Sequence, residues 1–150
     1  MFDIAHLIQT SLAPVFLLSG VAATLSVLTN RLARIIDRAR RLEEQLEQHP
    51  GRAAQLRVSL RVLARRAHYI NVAISLATIA ALLVALVVVA LFANAFFMHS
   101  QLGVGIALLF VGAMVCLSAA FLAFFVEVRV AVAALRIEIP AEAPAPRQPP

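Results

Sequence analysis

Every one of the thirteen basic residues in this chain is an arginine, and ten of them crowd the segment from Arg31 to His68. A guanidinium stays protonated in water and presents a planar fork of donors, so it can grip a phosphate or carboxylate through two hydrogen bonds at once. Arg31, Arg34, Arg38 and Arg41 precede a Pro-Gly break, and Arg61, Arg65 and Arg66 follow it. The chemistry open to this set is anion holding. Anionic lipid headgroups are attracted by about 1 kcal/mol per arginine close to a membrane surface. The plainer reading is that the arginines set orientation and solvate a helix pair, and that a GC-rich coding bias chose arginine over lysine. A second group, Asn71, Ser75 and Thr78, falls at i, i+4 and i+7 and so shares one helix face. Such a stripe serves as an interhelix contact or, more sharply, as a pore lining.

Other chemistry is not indicated. The chain has no nucleophile triad, no paired catalytic carboxylates, no glycine-rich phosphate loop and no zinc spacing, so the expectation is a non-enzyme with no catalytic, cofactor or metal residues. His6 and His99 make the one outer-side pair to consider for a metal or a pH response, while His49 and His68 belong to the arginine segment. Cys116 lies in apolar surroundings, where it packs as a small residue. A nucleic-acid partner is not expected, because the basic segment has only Tyr69 to stack on a base, at the wrong end.

The elements that position these groups follow from composition. With 62% hydrophobic and 14% charged residues and a mean hydropathy of +0.90, the chain is not a soluble enzyme or a disulfide-framed module. Sixty residues, Ala67 to Val126, pass without a formal charge. A crossing helix needs about 20 mainly apolar residues. The expected fold is therefore all-α with three transmembrane helices, and with an antiparallel helical hairpin continuous with the first two. Boundaries fall at 1–30 for the outer N-terminus together with the first span and 31–68 for the hairpin, with its turn at 49–51. The second span covers 69–97, an external turn 98–102, the third span 103–126, a helical extension 127–139 and a disordered Pro-rich tail 140–150.

The first span has no basic leader and is followed at once by arginines, so it reads as retained rather than cleaved. Basic residues in short loops mark the cytoplasmic side. The hairpin is then cytoplasmic, the N-terminus and the turn at His99 are outside, and the C-terminus is inside. No Asp, Glu, Lys or Arg lies within a span, which argues against a pump or proton relay.

Within the hairpin, Leu28, Leu32, Ile35, Ala39, Leu42 and Leu46 step by fours and threes, as do Leu56, Leu60, Leu63, Ala67, Ile70 and Ile74. These are coiled-coil seams. Pro50 stops the first and Gly51 can take a positive φ at the reversal. Leu46 with Leu56, Leu42 with Leu60, Ala39 with Leu63 and Ile35 with Ala67 share one index sum, the arithmetic of a single antiparallel register. Leu32 with Ile70 and Leu28 with Ile74 extend it. The same register sets Asp37 opposite Arg65 and gathers Glu43, Glu44 and Glu47 near Arg52 and Arg57. The arm from Arg31 to Gln48 projects about 27 Å.

Three further expectations concern the spans. Pro14 either bends the outer part of the first span or occupies its first helical turn, the latter being preferred. Gly105, Gly112, Cys116 and Ala120 form a small-residue stripe for close packing. Val128, Val132, Leu135 and Ile139 continue the third helix, so that Glu127 emerges beside the arginines, with Arg31 or Arg66 as partner.

The run APVFLLSGVAATLSVLTNRLARIIDRARRLE, Ala13 to Glu43, followed by LARRAHYINVAI, Leu63 to Ile74, resembles the family catalogued as Domain of Unknown Function 2721, small bacterial membrane proteins. Its most specific parts are PVFLLSG and TNRLARIIDR. The resemblance implies a bacterial inner-membrane protein with three crossings and brings no catalytic residue or activity. The functional expectation is a self-associating scaffold or interaction protein, a homo-oligomer. Its basic cytoplasmic stub meets anionic membrane lipids or a cytoplasmic protein partner. The alternative is an oligomeric ion channel or transport accessory with a pore along the first or second span.

Overall fold

The computed structural model describes residues 4–97 and 102–137. Three helices account for nearly all of them: α1 (Ile4–Gln48), α2 (Ala53–Phe97) and α3 (Leu102–Ile137), with a 3-10 turn, Pro50–Arg52, between the first two. No strand occurs among the described residues. Of the expected outer turn at 98–102, Leu102 opens α3 instead; residues 98–101, the end of the extension at 138–139 and the tail at 140–150 lie outside the described residues, as do the side chains of His6 and His99.

Each helix contains a stretch long and apolar enough to cross a membrane. Helices α1 and α2 have 45 residues each, and at 1.5 Å per residue each is a rod of about 67 Å. A hydrocarbon core is about 30 Å thick. Crossing upright, each rod leaves roughly half of its length outside it.

The turn is tight. The His49 N–H donates to the Gln45 carbonyl at 3.0 Å and the Arg52 N–H donates to the His49 carbonyl at 3.1 Å. Gly51 does not use the positive φ open to it. A 3-10 turn keeps ordinary right-handed backbone angles, so here glycine is used at an exposed turn without a left-handed conformation.

Helix α2 is the middle rod, packed against both α1 and α3. Its buried residues run as Leu63, Ile70, Ala77 and Val84, interleaved with Ala73, Ala80 and Val87. Each set repeats every seventh residue. Buried positions on α1 repeat likewise, as Pro14, Val21, Leu28 and Ile35, and on α3 as Ala113, Ala120 and Glu127. A seven-residue period keeps a side chain facing its partner only if the helices wind gently around one another in a left-handed sense.

Two clusters fill the interior. In one, Leu28, Ile35, Leu63, Ile70 and Ala73 pack with Leu32, Ala39, Leu42, Ala67 and Ile74, and α3 contributes Ala123 and Phe124. In the other, Val21, Ala77 and Ala120 bring the three helices together. Every seam position between Leu28 and Leu46, and between Leu56 and Ile74, is buried or half-buried. Burial is deepest at the α3 end of the seam and looser at Leu46 and Leu56, because no third helix covers the tip.

Pro14 is buried inside α1, ten residues after the helix begins at Ile4. It is not in the first turn, as preferred from sequence. The outer surface carries large apolar side chains, among them Phe16, Leu82, Val89, Val104, Leu108 and Leu122. With lipid as solvent this surface needs no further cover.

Candidate functional site

The last buried position of the α3 stripe is a carboxylate. Ala113, Ala120 and Glu127 are spaced by seven, and all three are essentially without exposure. A buried carboxylate is costly unless it is paired and hydrogen-bonded. Glu127 is met from both neighbouring helices. Arg66 on α2 donates from Nε and Nη2 to Glu127 Oε1, both at 3.0 Å. Arg31 on α1 brings Nη2 to 3.3 Å from Oε2, yet Oε2 accepts no hydrogen bond within the chain. That contact is a charge facing a charge rather than an aligned donor.

The two arginines are placed by the seams. Arg31 is one residue before the seam position Leu32, and Arg66 is one before Ala67, so both flank the α1–α2 contact on one side. Arg31 also lies over the Phe124 ring, 5.1 Å from its centroid, which is a cation–π contact. Sequence spacing offered Arg31 or Arg66 as the partner of Glu127; the fold supplies both.

The same side of the α1–α2 contact forms a groove of about 520 Å³ lined by Arg31, Arg34, Arg38 and Arg66 over Val27, Ile35 and Leu63. Four guanidinium groups line it and two of them meet Glu127; with Asp37 on the adjoining surface of α1, positive charge remains in excess. Arg34 and Arg38 are exposed and have no ion-pair partner among the described residues. On α3, Ser118, Phe121, Leu122, Phe124, Phe125 and Val128 line an open, mostly apolar groove. Phe124 belongs to that groove and Arg31 to the charged one.

The remaining arginines proposed from sequence lie apart from this lining. Arg41 and Arg61 are exposed. Arg65 turns to Tyr69, with Nη2 donating to the hydroxyl at 3.5 Å and the guanidinium over the ring at 5.9 Å. The expected Asp37–Arg65 ion pair does not form, and Glu43, Glu44 and Glu47 make no ion pair with Arg52 or Arg57. Exposed pairs have little net energy to hold two long side chains in one geometry.

The stripe of Asn71, Ser75 and Thr78 lies on the exposed face of α2. Ser75 Oγ donates to the Asn71 carbonyl at 3.0 Å and Thr78 Oγ1 to the Ile74 carbonyl at 2.9 Å. Each hydroxyl is thus satisfied by its own helix. The small residues of α3 divide: Ala120 packs at the three-helix contact, Gly112 has only Leu83 near it, and Gly105 faces open space. The other buried small residue of α3 is Ala113, which the sequence stripe passed over. Among the described residues no three His, Cys, Asp or Glu side chains gather as metal ligands.

With this geometry established, the family model described as "Protein of unknown function (DUF2721)" matches residues 11–137. The chain belongs to the DUF2721 family. The match takes in α1 from Ser11 onward, the turn, α2, α3 and every residue of the Arg31–Glu127–Arg66 clamp. Comparison with curated proteins and with solved structures returns no match. The description of the DUF2721 family names no reaction, so roles for these arginines rest on their geometry. With three helices fit to cross a bilayer, this DUF2721 chain has the build of a multi-pass membrane protein.

Proposed function

We propose that this protein is a non-enzymatic, self-associating component of the bacterial inner membrane, and that its basic end works at the cytoplasmic surface as a stub for anionic lipid. The N-terminus and the α2–α3 connection are outside, and the α1–α2 hairpin and the C-terminus are in the cytoplasm. The observation that carries this reading is the clamp at Glu127. It joins α1, α2 and α3 at one level, where the charge-free run ends and the arginines begin. Guanidinium groups gathered at the end of a span sit where headgroups do, and basic segments are retained on the cytoplasmic side.

Self-association is supported by small or polar exposed positions that the single chain leaves unused, Gly105 on α3 and Asn71 on α2. In lipid, such positions favour close helix contacts. The exposed stripe of Asn71, Ser75 and Thr78 also supports a second reading, an oligomeric channel or transport accessory lined by α2. Oligomer mass in nanodiscs, combined with ion flux from liposomes, tests both. A defined oligomer without flux supports the scaffold. Flux that changes on replacing Asn71 or Thr78 supports the channel, and a strict monomer removes both.

A further inference from the structure

We propose that the groove between α1 and α2 is a specific site for a membrane phospholipid with two phosphates in its headgroup, of the cardiolipin class, and that Glu127 is the residue that positions its arginines. This deepens the lipid reading above and rests on it.

Arg31, Arg34 and Arg38 follow one another at i, i+3 and i+7 on α1, and Arg66 faces them from α2. Like charges at such spacing repel one another on a helix. Only the Arg31–Arg66 end is relieved, by Glu127. The Arg34–Arg38 end makes no ion pair among the described residues, although Asp37 lies beside it on the exposed surface of α1, so positive charge exceeds negative along about 10 Å of helix. A single phosphate reaches one end of such a row. Two phosphates joined by a short bridge reach both.

The clamp also fixes how the donors are shared. Arg66 spends Nε and Nη2 on Oε1, and Arg31 is held between Oε2 and the Phe124 ring. Each guanidinium has five N–H donors, so donors remain at both residues, and those of Arg34 and Arg38 are uncommitted. The occupant is a lipid rather than a soluble phosphate because of what surrounds the charges. The floor of the groove is Ile35 and Leu63. Phe124, in contact with Arg31, leads onto the apolar groove of Phe121 and Phe125 on α3, a surface for acyl chains. Basic pockets between helices at this depth suit such headgroups.

The experiment is native mass spectrometry of the full chain released from micelles, titrated with cardiolipin, with phosphatidylglycerol at twice the molar amount, and with pyrophosphate. Three proteins are compared: wild type, Arg34→Gln/Arg38→Gln, and the equal-charge control Arg40→Gln/Arg57→Gln. The expected result is one cardiolipin per chain, held at least tenfold more tightly than phosphatidylglycerol. That binding is weakened at least tenfold by the groove variant and unchanged by the control, and pyrophosphate does not compete at matched concentration. Glu127→Gln, if it folds, is expected to lose the preference for cardiolipin over phosphatidylglycerol while still binding both. Equal loss in the groove and control variants, or equal binding of the two lipids, overturns the site but leaves a general basic stub. Binding of pyrophosphate in place of lipid overturns the lipid assignment. No binding of any anionic lipid overturns the site and the lipid reading together.

Discussion

Arg66 and Glu127, 61 residues apart in sequence, meet through two hydrogen bonds of 3.0 Å to a single carboxylate oxygen. Since the carboxylate is fully buried while the Arg66 side chain keeps 22% of its exposure, the cost of separating them falls mainly on the glutamate. Replacing Glu127 by Gln removes the charge that holds Arg31 and Arg66 together. The expected loss is about 2 kcal/mol, less than for a pair buried on both sides. Arg66→Lys should not behave as wild type, since an ammonium cannot reproduce the Nε–Nη2 fork. Thermal unfolding in detergent reads both, and an unchanged midpoint in Glu127→Gln would show the clamp to be energetically idle.

The seam can be probed by position. Leu63 is 7% exposed and belongs to the central cluster, so Leu63→Ala should cost about 2–4 kcal/mol through lost contacts and a cavity. Val58, on the same helix but 64% exposed, should tolerate Ala within about 0.5 kcal/mol. Equal effects at the two sites would contradict the packing of α1 on α2.

Val21, Ala77 and Ala120 are almost fully buried where the three helices meet. Ala77→Leu should destabilise by about 1–3 kcal/mol through overpacking. Gly112→Ala should be tolerated, because an added methyl would meet only Leu83 Cδ1 at 3.7 Å. Chemical denaturation or heat-induced aggregation in detergent distinguishes the two, and the opposite order would overturn the assigned interface.

Orientation is tested by single cysteines in a Cys116→Ala background. Arg57→Cys is expected to react only with reagents reaching the cytoplasm, and His99→Cys only with reagents outside the cell. Reaction of both from one side would remove the proposed topology.

The α2 stripe gives a clean substitution set. Ser75 and Thr78 donate to carbonyls of their own helix, so Ser75→Ala and Thr78→Val should leave the single chain's stability within about 0.5 kcal/mol. A change in oligomer mass or ion flux would then report on contacts between copies rather than on folding. Marked destabilisation of the individual chain would mean that this face is buried within it.

Much of this protein was legible in its residues. The apolar stretch before Arg31 and the charge-free run from Ala67 to Val126 determined three helices fit to span a bilayer, because a span is a local property of about 20 residues and needs no partner to be recognised. The two runs of leucine and isoleucine steps around Pro50 likewise marked which faces of α1 and α2 are buried, since period and burial are linked along a single helix. The apolar steps Val128, Val132 and Leu135, which carry the third helix past the charge-free run, also brought Glu127 close to the arginines.

What only the tertiary structure decided is how charges and helices choose among several compatible neighbours. Asp37 and Arg65 were opposite by register and yet form no pair, because an exposed pair has too little net energy to override the Tyr69 contact. Gly51 was free to turn left-handed and did not need to, because a single 3-10 turn already reverses the chain. That α2 is the middle helix, and that one buried carboxylate binds arginines from both of the others, depended on where α3 docks. Apolar periodicity alone cannot specify that docking, since in a chain this hydrophobic nearly every face of α3 is apolar enough to pack.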